Sequence, residues 1–183
     1  PIKKQNDQPK IWYSEEFKHL NSLSASAQAA AIEKGIVLLK NNATCLPLGN
    51  LNKTISAISF GGTAENFHET IGLFADIKTS KNNDLSTFAD SSLERIKGTE
   101  ICIISLHADG VKGSENDIKK GSLAILDKLP ESQIKILVLF GNEGVFSELD
   151  PKKVDVIIWA KENHYLAQNR VAQLIFGATA TEG

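Results

Sequence analysis

The stretch Ile101-Cys102-Ile103-Ile104-Ser105-Leu106 decides the fold that this sequence predicts. Five of its six residues are apolar and three are β-branched, which is typical of a strand buried on both faces of a sheet. The segment behind it, residues 107–117, turns polar at once and contains one histidine, three carboxylates and two glycines. Because no other part of the chain places so many titratable groups directly behind a buried strand, we predict that any chemistry of this chain lies there.

Patterns typical of strands and of helices alternate along the chain. Apolar runs predict strands over 55–60, 76–79, 134–140 and 154–160, with a short strand or an extended insertion over 36–40. Apolar residues at helical spacing predict helices over 66–74, 85–97, 123–129 and 164–176. The alternation predicts an α/β fold, a doubly wound, mostly parallel five- to six-stranded sheet with helices on both faces, in a flavodoxin-like order.

This strand order has a consequence for the site. The sheet reverses its winding between strand 55–60 and strand 101–106, while the weak strand 76–79 lies at an edge. Gly61-Gly62-Thr63 and the 107–117 loop are therefore expected at one crevice. Ahead of the sheet, the sequence predicts a polar arm, a helix that begins at Ser14, and a second helix that begins near Ser24 or Ser26 and ends before Gly35.

Composition and charge exclude several classes of protein. A chain of 183 residues, 42% apolar and 23% charged, can bury a core without a disulfide or a metal. Its formal net charge of −2 favours neither a nucleic acid nor an anionic membrane, and no apolar run approaches the ~18–20 residues that span a bilayer. Cys45 and Cys102 are predicted to be separate thiols, with a disulfide between them as the alternative. The four histidines lack zinc-site spacing, so neither a metal nor a cofactor is predicted.

Two patterns that carry chemistry in other proteins are weak here. Gly61-Gly62-Thr63 lies between a strand and a helix, where phosphate sites form, but the spacing of a dinucleotide site and the lysine of a Walker motif are both absent. A tight turn without a ligand is favoured. Ser105 lies within a strand and outside the Gly-x-Ser-x-Gly context of a nucleophilic serine, so we exclude nucleophilic catalysis there.

The polar loop offers two further candidates. Glu115 and Asp117 could both face one cleft, and a glycosidase needs two such carboxyl groups. The chain shows no convincing second member of a catalytic pair, and a solvated loop would look the same. A His107–Asp109 dyad could act in acid–base chemistry, although adjacent polar residues without a role give the same pattern.

Three segments, taken in order, resemble the second, α/β-sandwich domain of glycoside hydrolase family 3. The first is AAAIEKGIVLLKNNATCLPL at 29–48, which is similar to a helix followed by the family's VLLKN…LPL stretch. The second is Glu115-Asn-Asp117, which is similar to the family's acid-containing loop, although the arginine usual after the aspartate is Ile118 here. The third is QNRVAQLIFGA at 168–178, which resembles the family's last helix before a G-(R/K)-LP segment.

The resemblance covers residues 25–183 and implies one domain of a larger enzyme. In this family the nucleophilic aspartate belongs to a preceding (β/α)8 barrel. Residues 1–24 are therefore expected to be an arm and first helix that link a missing barrel to the α/β domain at 25–183. A chain that begins on Pro1 and stops on Gly183 also looks like a piece of something longer.

The resemblance implies two different roles for the loop. Some family members take the catalytic acid/base from a loop of this domain, and Glu115 is the matching position. The implied substrate-binding rim consists of His107, Asp109 and Asp117. The β-N-acetylglucosaminidase branch instead uses a His/Asp pair within the barrel, and Ser105-Leu-His107, the Phe140-Gly-Asn turn and the missing arginine favour that branch.

The implied protein is a bacterial retaining glycoside hydrolase that acts on β-linked sugars, with β-N-acetylglucosaminides favoured. Its implied partners are the barrel of the same polypeptide and a carbohydrate at the domain interface, with no cofactor, and its implied location is periplasmic or secreted. The isolated chain is expected to be inactive. The alternative is a free-standing flavodoxin-like ligand-binding or interaction module, with its ligand at the crevice of Gly61 and His107.

Overall fold

Strands and helices alternate along the chain in this computed structural model, which describes residues 15–62, 64–82, 90–108 and 124–178. The strands are β1 (Ile36–Asn41), β2 (Ile55–Gly61), β3 (Ile77–Asn82), β4 (Ile101–His107), β5 (Ile134–Phe140) and β6 (Val156–Ala160). The helices are α1 (Glu15–Lys34), α2 (Glu65–Gly72), α3 (Asp90–Lys97) and α4 (Tyr165–Phe176). A further helical turn spans 124–126, and 3-10 turns span Asn42–Thr44, Glu143–Glu148 and Pro151–Lys153.

The strands form one six-stranded sheet in the order β1-β6-β5-β4-β2-β3. Every neighbouring pair is parallel except β1 and β6, which are antiparallel. The run from β2 to β6 has the flavodoxin-like order, so the predicted α/β fold is confirmed, with β1 added as an antiparallel edge strand. The weak strand β3 lies at the opposite edge, as predicted.

The central strand β4 is buried at all seven positions, and its side chains alternate between two hydrophobic layers. Ile101 and Ile103 pack with the apolar residues of α2 and α4, whereas Cys102 and Ile104 pack with those of α3 and of the helical turn at 124–126. Covering a parallel sheet on both faces explains why the sequence of β4 is almost continuously apolar.

The start of the chain differs from the prediction. The sequence favoured two helices, with a new start near Ser24 or Ser26, but α1 is one helix from Glu15 to Lys34. No glycine or proline interrupts it, and the hydroxyl of Ser26 donates to the carbonyl of Ser22 at 2.9 Å inside the helix instead of capping a new one. The chain divides into two compact units between Ala31 and Ile32, and the boundary predicted near residue 24 stays a prediction.

Both cysteines are free thiols, as predicted. Burial in the sheet raises the pKa of Cys102 to about 12, since the thiolate would have to form away from water. Burial also raises the pKa of the partly exposed Cys45, and nearby Asp155 adds to this shift. Neither thiol is an activated nucleophile, because activation requires a lowered pKa.

None of the helices within the described ranges has both the length and the apolar composition needed to cross a membrane.

Candidate functional site at the carboxyl ends of β2 and β4

The carboxyl ends of three neighbouring parallel strands, β2, β4 and β5, lie side by side. Gly61 at the end of β2 is in register with His107 at the end of β4, which in turn is in register with Phe140 at the end of β5. Directly after β4, the Ala108 N–H donates to the Phe140 carbonyl at 3.0 Å. The predicted meeting of Gly61 and His107 at the switch point is therefore present.

The other residues predicted for this crevice include Thr63, Asp109, Glu115 and Asp117, which lie outside the described residues. Gly61 has a φ of 90°, a backbone conformation that favours glycine, so the turn accounts for this residue without a ligand.

His107 is the last residue of β4, whereas the sequence placed it at the start of the loop. Its side chain is fully buried, at 0% exposure. The imidazole stacks on the ring of Phe140, with 4.8 Å between the ring centroids and 21° between the planes, and the Phe67 ring lies 6.3 Å away. Position 107 has the same parity as Ile101 and Ile103, so its side chain enters the layer between the sheet and helices α2 and α4.

His107 belongs to a set of six polar side chains that we call the polar row. They are His68 of α2, Ser59 of β2, Ser105 and His107 of β4, Asn163, and Gln168 of α4. At one end, the Ser59 Oγ lies 2.5 Å from the His68 Nε2 and 2.6 Å from the Ser105 Oγ. The Ser105 Oγ then lies 3.0 Å from the His107 Nε2. The two serines thus connect the two imidazoles.

The other end of the polar row returns to α2. The His107 Nδ1 lies 3.0 Å from the Asn163 Oδ1, which also accepts a hydrogen bond from the Gln168 Nε2 at 2.8 Å. The Gln168 Oε1 accepts the backbone N–H of Phe67 at 3.0 Å. This N–H lies in the first turn of α2, where it has no partner within the helix. The row therefore fastens α2 and α4 to the middle of the sheet.

Five of the six side chains of the polar row are buried, Asn163 is partly exposed, and none of the six is a carboxylate. Ser59, Ser105 and Gln168 are each 1% exposed, and His68 is 8% exposed. Polar groups at this depth are stable only when hydrogen-bonded, and the contacts above supply that. The sequence analysis did not find the row. A usable signal was present, because β2 and β4 are neighbouring apolar strands and Ser59 of β2 is in register with Ser105 of β4.

The described residues of the first family-like segment have structural roles. The Lys40 Nζ donates to the carbonyl oxygens of Pro151 and Val154, each at 2.5 Å. The Asn41 side chain closes the following turn, because its Oδ1 accepts the Leu46 N–H at 3.0 Å and its Nδ2 donates to the Leu46 carbonyl at 3.2 Å. These residues hold β1 and its turn against the domain.

The described residues contain no group of three histidine, cysteine, aspartate or glutamate side chains placed to hold a metal ion.

No family model matches this sequence, and no curated protein sequence matches it. Solved structures do. A fungal multi-domain glycoside hydrolase family 3 β-N-acetylglucosaminidase superposes on 87% of this chain with a TM-score of 0.66 at 13% identity. A β-N-acetylglucosaminidase of the same family from Paenibacillus sp. covers 100% with a TM-score of 0.62 at 12% identity. A family 3 exo-β-xylosidase covers 87% with a TM-score of 0.60 at 18% identity.

These structures are much longer than this chain, which spans 18%, 34% and 24% of their respective lengths. At such low identity the likeness concerns the fold alone. The chain therefore has the α/β fold of one region of glycoside hydrolase family 3 proteins.

Proposed function

We propose that this chain is the C-terminal α/β domain of a retaining family 3 glycoside hydrolase, with β-N-acetylglucosaminides as the preferred substrates. The proposal is supported by two independent similarities, one in the fold and one in the sequence. The fold resembles one region of family 3 proteins, and three family-like segments occur in the chain in the family's order. In this proposal the catalytic nucleophile comes from a (β/α)8 barrel of the same polypeptide.

The role proposed for this domain is to complete the rim of the sugar site at the domain interface. Asp109 and Asp117 would contribute to this rim from the segment that follows β4. His107 would support this segment without contacting the sugar, because its side chain is buried and its two ring nitrogens contact Asn163 and Ser105. A buried imidazole supports the base of the segment rather than contacting a sugar.

The chemistry of the polar row agrees with a supporting role. A retaining glycosidase needs a carboxylate nucleophile and a carboxyl acid/base about 5–5.5 Å apart. The row consists of two imidazoles, two hydroxyls and two amides, so it can provide neither group.

The first prediction tests the division of labour between domains. The open reading frame that encodes this chain is expected to encode a (β/α)8 barrel before residue 1, and the whole polypeptide should hydrolyse an aryl β-N-acetylglucosaminide. The 183-residue chain alone should show no hydrolysis above the buffer rate, because the proposal assigns the nucleophile to the barrel. The measurement is release of the aryl alcohol by both proteins at equal concentration. Hydrolysis by the isolated chain, or a whole polypeptide without a barrel, would refute the proposal.

The second prediction separates the two branches of the family. In the whole polypeptide, Glu115→Gln is expected to change kcat/KM by less than about threefold, because the proposed branch takes its acid/base from the barrel. A proton donor at this position would instead cost about 10²–10⁴ in rate. The matched control is Glu131→Gln, which neutralises an exposed glutamate elsewhere on the domain. A loss in the larger range would assign the acid/base role to Glu115 and the protein to the glucosidase-like branch.

A further inference from the structure

We propose that the polar row holds one Nε2 proton between His68 and His107 and relays a proton from one imidazole to the other. The proposal rests on the hydrogen-bond geometry of the row and is independent of the sugar chemistry proposed above.

The direction of the hydrogen bonds is set at the α2 end. The backbone N–H of Phe67 can only donate, so the Gln168 atom that faces it, at 3.0 Å, is the carbonyl Oε1. The Gln168 amide nitrogen then points at Asn163 and donates to its Oδ1 at 2.8 Å. That same Oδ1 faces the His107 Nδ1 at 3.0 Å, so this nitrogen must carry the proton. One backbone N–H thus assigns a tautomer to His107 through two amides.

The two serines carry the assignment to His68. A hydroxyl has one proton to donate, and both Ser59 and Ser105 have their partners inside the row. When the His107 Nε2 carries no proton, Ser105 donates to it and accepts from Ser59, which in turn accepts from the Nε2–H of His68. All three contacts are then satisfied, and the Nε2 proton belongs to His68.

Other proton counts break the row. If both Nε2 atoms carried protons, each serine would accept from a histidine. Only one of the two serine hydroxyls could then donate to the other, and the second hydroxyl proton would have no acceptor in the row. If neither carried one, both hydroxyls would donate outwards, and two oxygens 2.6 Å apart would face each other with no proton between them. A buried polar contact of that kind is strongly disfavoured. The row therefore holds one Nε2 proton.

Reversing the direction of the three hydrogen bonds between His68 and His107 transfers a proton from one imidazole to the other. When a hydronium ion transfers its proton to His68 and leaves as water, His68 carries protons on both nitrogens. At 8% exposure, His68 is the more accessible of the two imidazoles. Its Nε2 proton passes to the Ser59 Oγ, the Ser59 proton passes to the Ser105 Oγ, and the Ser105 proton passes to the His107 Nε2. Three bonds to hydrogen break and three form. The positive charge moves from α2 to the carboxyl end of β4, where the chain enters the segment that follows Ala108.

The test is the tautomeric state of each histidine in the wild-type chain labelled with nitrogen-15, read from the ring-nitrogen shifts and their couplings to ring protons. The expected result at a pH where both imidazoles are neutral is a protonated Nδ1 and bare Nε2 for His107, with a protonated Nε2 for His68. Protons on both Nε2 atoms, protons on neither, or the reverse assignment would each overturn the proposal.

A one-atom substitution tests the transmission. At a pH where the introduced glutamate is ionised, Gln168→Glu keeps an acceptor for the Phe67 N–H but removes the donor to Asn163. The Asn163 amide is then expected to rotate by 180°, so that its Nδ2 donates to the carboxylate and faces the His107 Nδ1. His107 should then become the Nε2–H tautomer, the serines should reverse, and His68 should lose its Nε2 proton. A change in His107 without a change in His68 would overturn the relay, and no change in either would overturn the assigned direction.

Two serine variants test whether the change passes from His107 to His68 through Ser105. In the Gln168→Glu background, Ser105→Ala should confine the change to His107, because the connection to Ser59 is cut. The matched control is Ser56→Ala, which removes an equally buried hydroxyl from β2 that binds Thr99 at 2.8 Å on the opposite face of the sheet. This control should leave the tautomers of His68 and His107 as they are in the Gln168→Glu variant. Transmission to His68 without the Ser105 hydroxyl would contradict the proposed path.

Discussion

The Phe140→Ala variant is expected to lose about 3–5 kcal/mol of the free energy of unfolding, the range for removing a fully buried aromatic side chain. Phe140 is 0% exposed at the end of β5. Its ring makes an edge-to-face contact with Phe67, with centroids 5.4 Å apart, and stacks on His107 at 4.8 Å. Truncation removes both contacts and leaves a cavity between the sheet and α2, since strands fixed in register on both sides cannot close it.

Urea unfolding followed by circular dichroism measures this loss. The matched control is Phe146→Ala, which truncates the same side chain at a partly buried position in a 3-10 turn and should cost about 1 kcal/mol. If the two variants were equally stable, the packing described for Phe140 would be contradicted. Because the Phe140 ring also stacks on His107, its loss is further expected to broaden the imidazole signals of His107.

The strand order was predictable because it depends on patterns that one segment displays by itself. Continuously apolar segments such as 101–106 and 134–140 indicate burial on both faces, and the helical patterns between strands require parallel crossovers. The weaker segment at 76–79 contains polar residues, and β3 accordingly lies at an edge of the sheet. Each of these inferences used local sequence and general rules of connection.

The predictions that were wrong concern elements whose state depends on a competing partner. A serine near residue 24 can cap a new helix or bond to the preceding turn of an existing one, and the pattern is the same in both cases. Ser26 takes the second course, so α1 continues. His107 was assigned to the loop because it is polar, but a hydrogen-bond partner on each ring nitrogen makes its burial within β4 favourable.

The polar row could not be predicted from any one segment. Ser59 and Ser105 are far apart in sequence and meet only because β2 and β4 are adjacent and in register. Gln168 and Asn163 reach His107 only once α4 lies over the sheet. A predicted sheet order combined with a search for polar residues at matching register would have brought the two serines together. The amides depend on helix packing, which periodicity does not specify.

The Gly141→Ala variant is expected to lose about 2–4 kcal/mol of the free energy of unfolding, from backbone strain and overpacking together. Gly141 follows β5 with a φ of 108°, and a Cβ there would lie 2.5 Å from the carbonyl oxygen of Ala108. The backbone cannot move aside, because the Gly141 N–H donates to the Ala160 carbonyl at 2.9 Å and its own carbonyl accepts the Trp159 indole N–H at 2.8 Å. The added methyl group must therefore displace Ala108.

The matched control for Gly141→Ala is Gly144→Ala in the 3-10 turn just downstream. A Cβ at 144 would lie 3.5 Å from the Asn142 Oδ1, which is ordinary van der Waals contact, so this variant should stay within about 0.5 kcal/mol of the wild type in the same urea unfolding experiment. Equal losses in both variants would contradict the close approach of Gly141 to Ala108. Since Ala108 leads into the segment that carries Asp109, Glu115 and Asp117, the proposed function further requires that Gly141→Ala lower kcat/KM of the whole polypeptide under conditions where the variant is still folded, whereas Gly144→Ala should leave it unchanged.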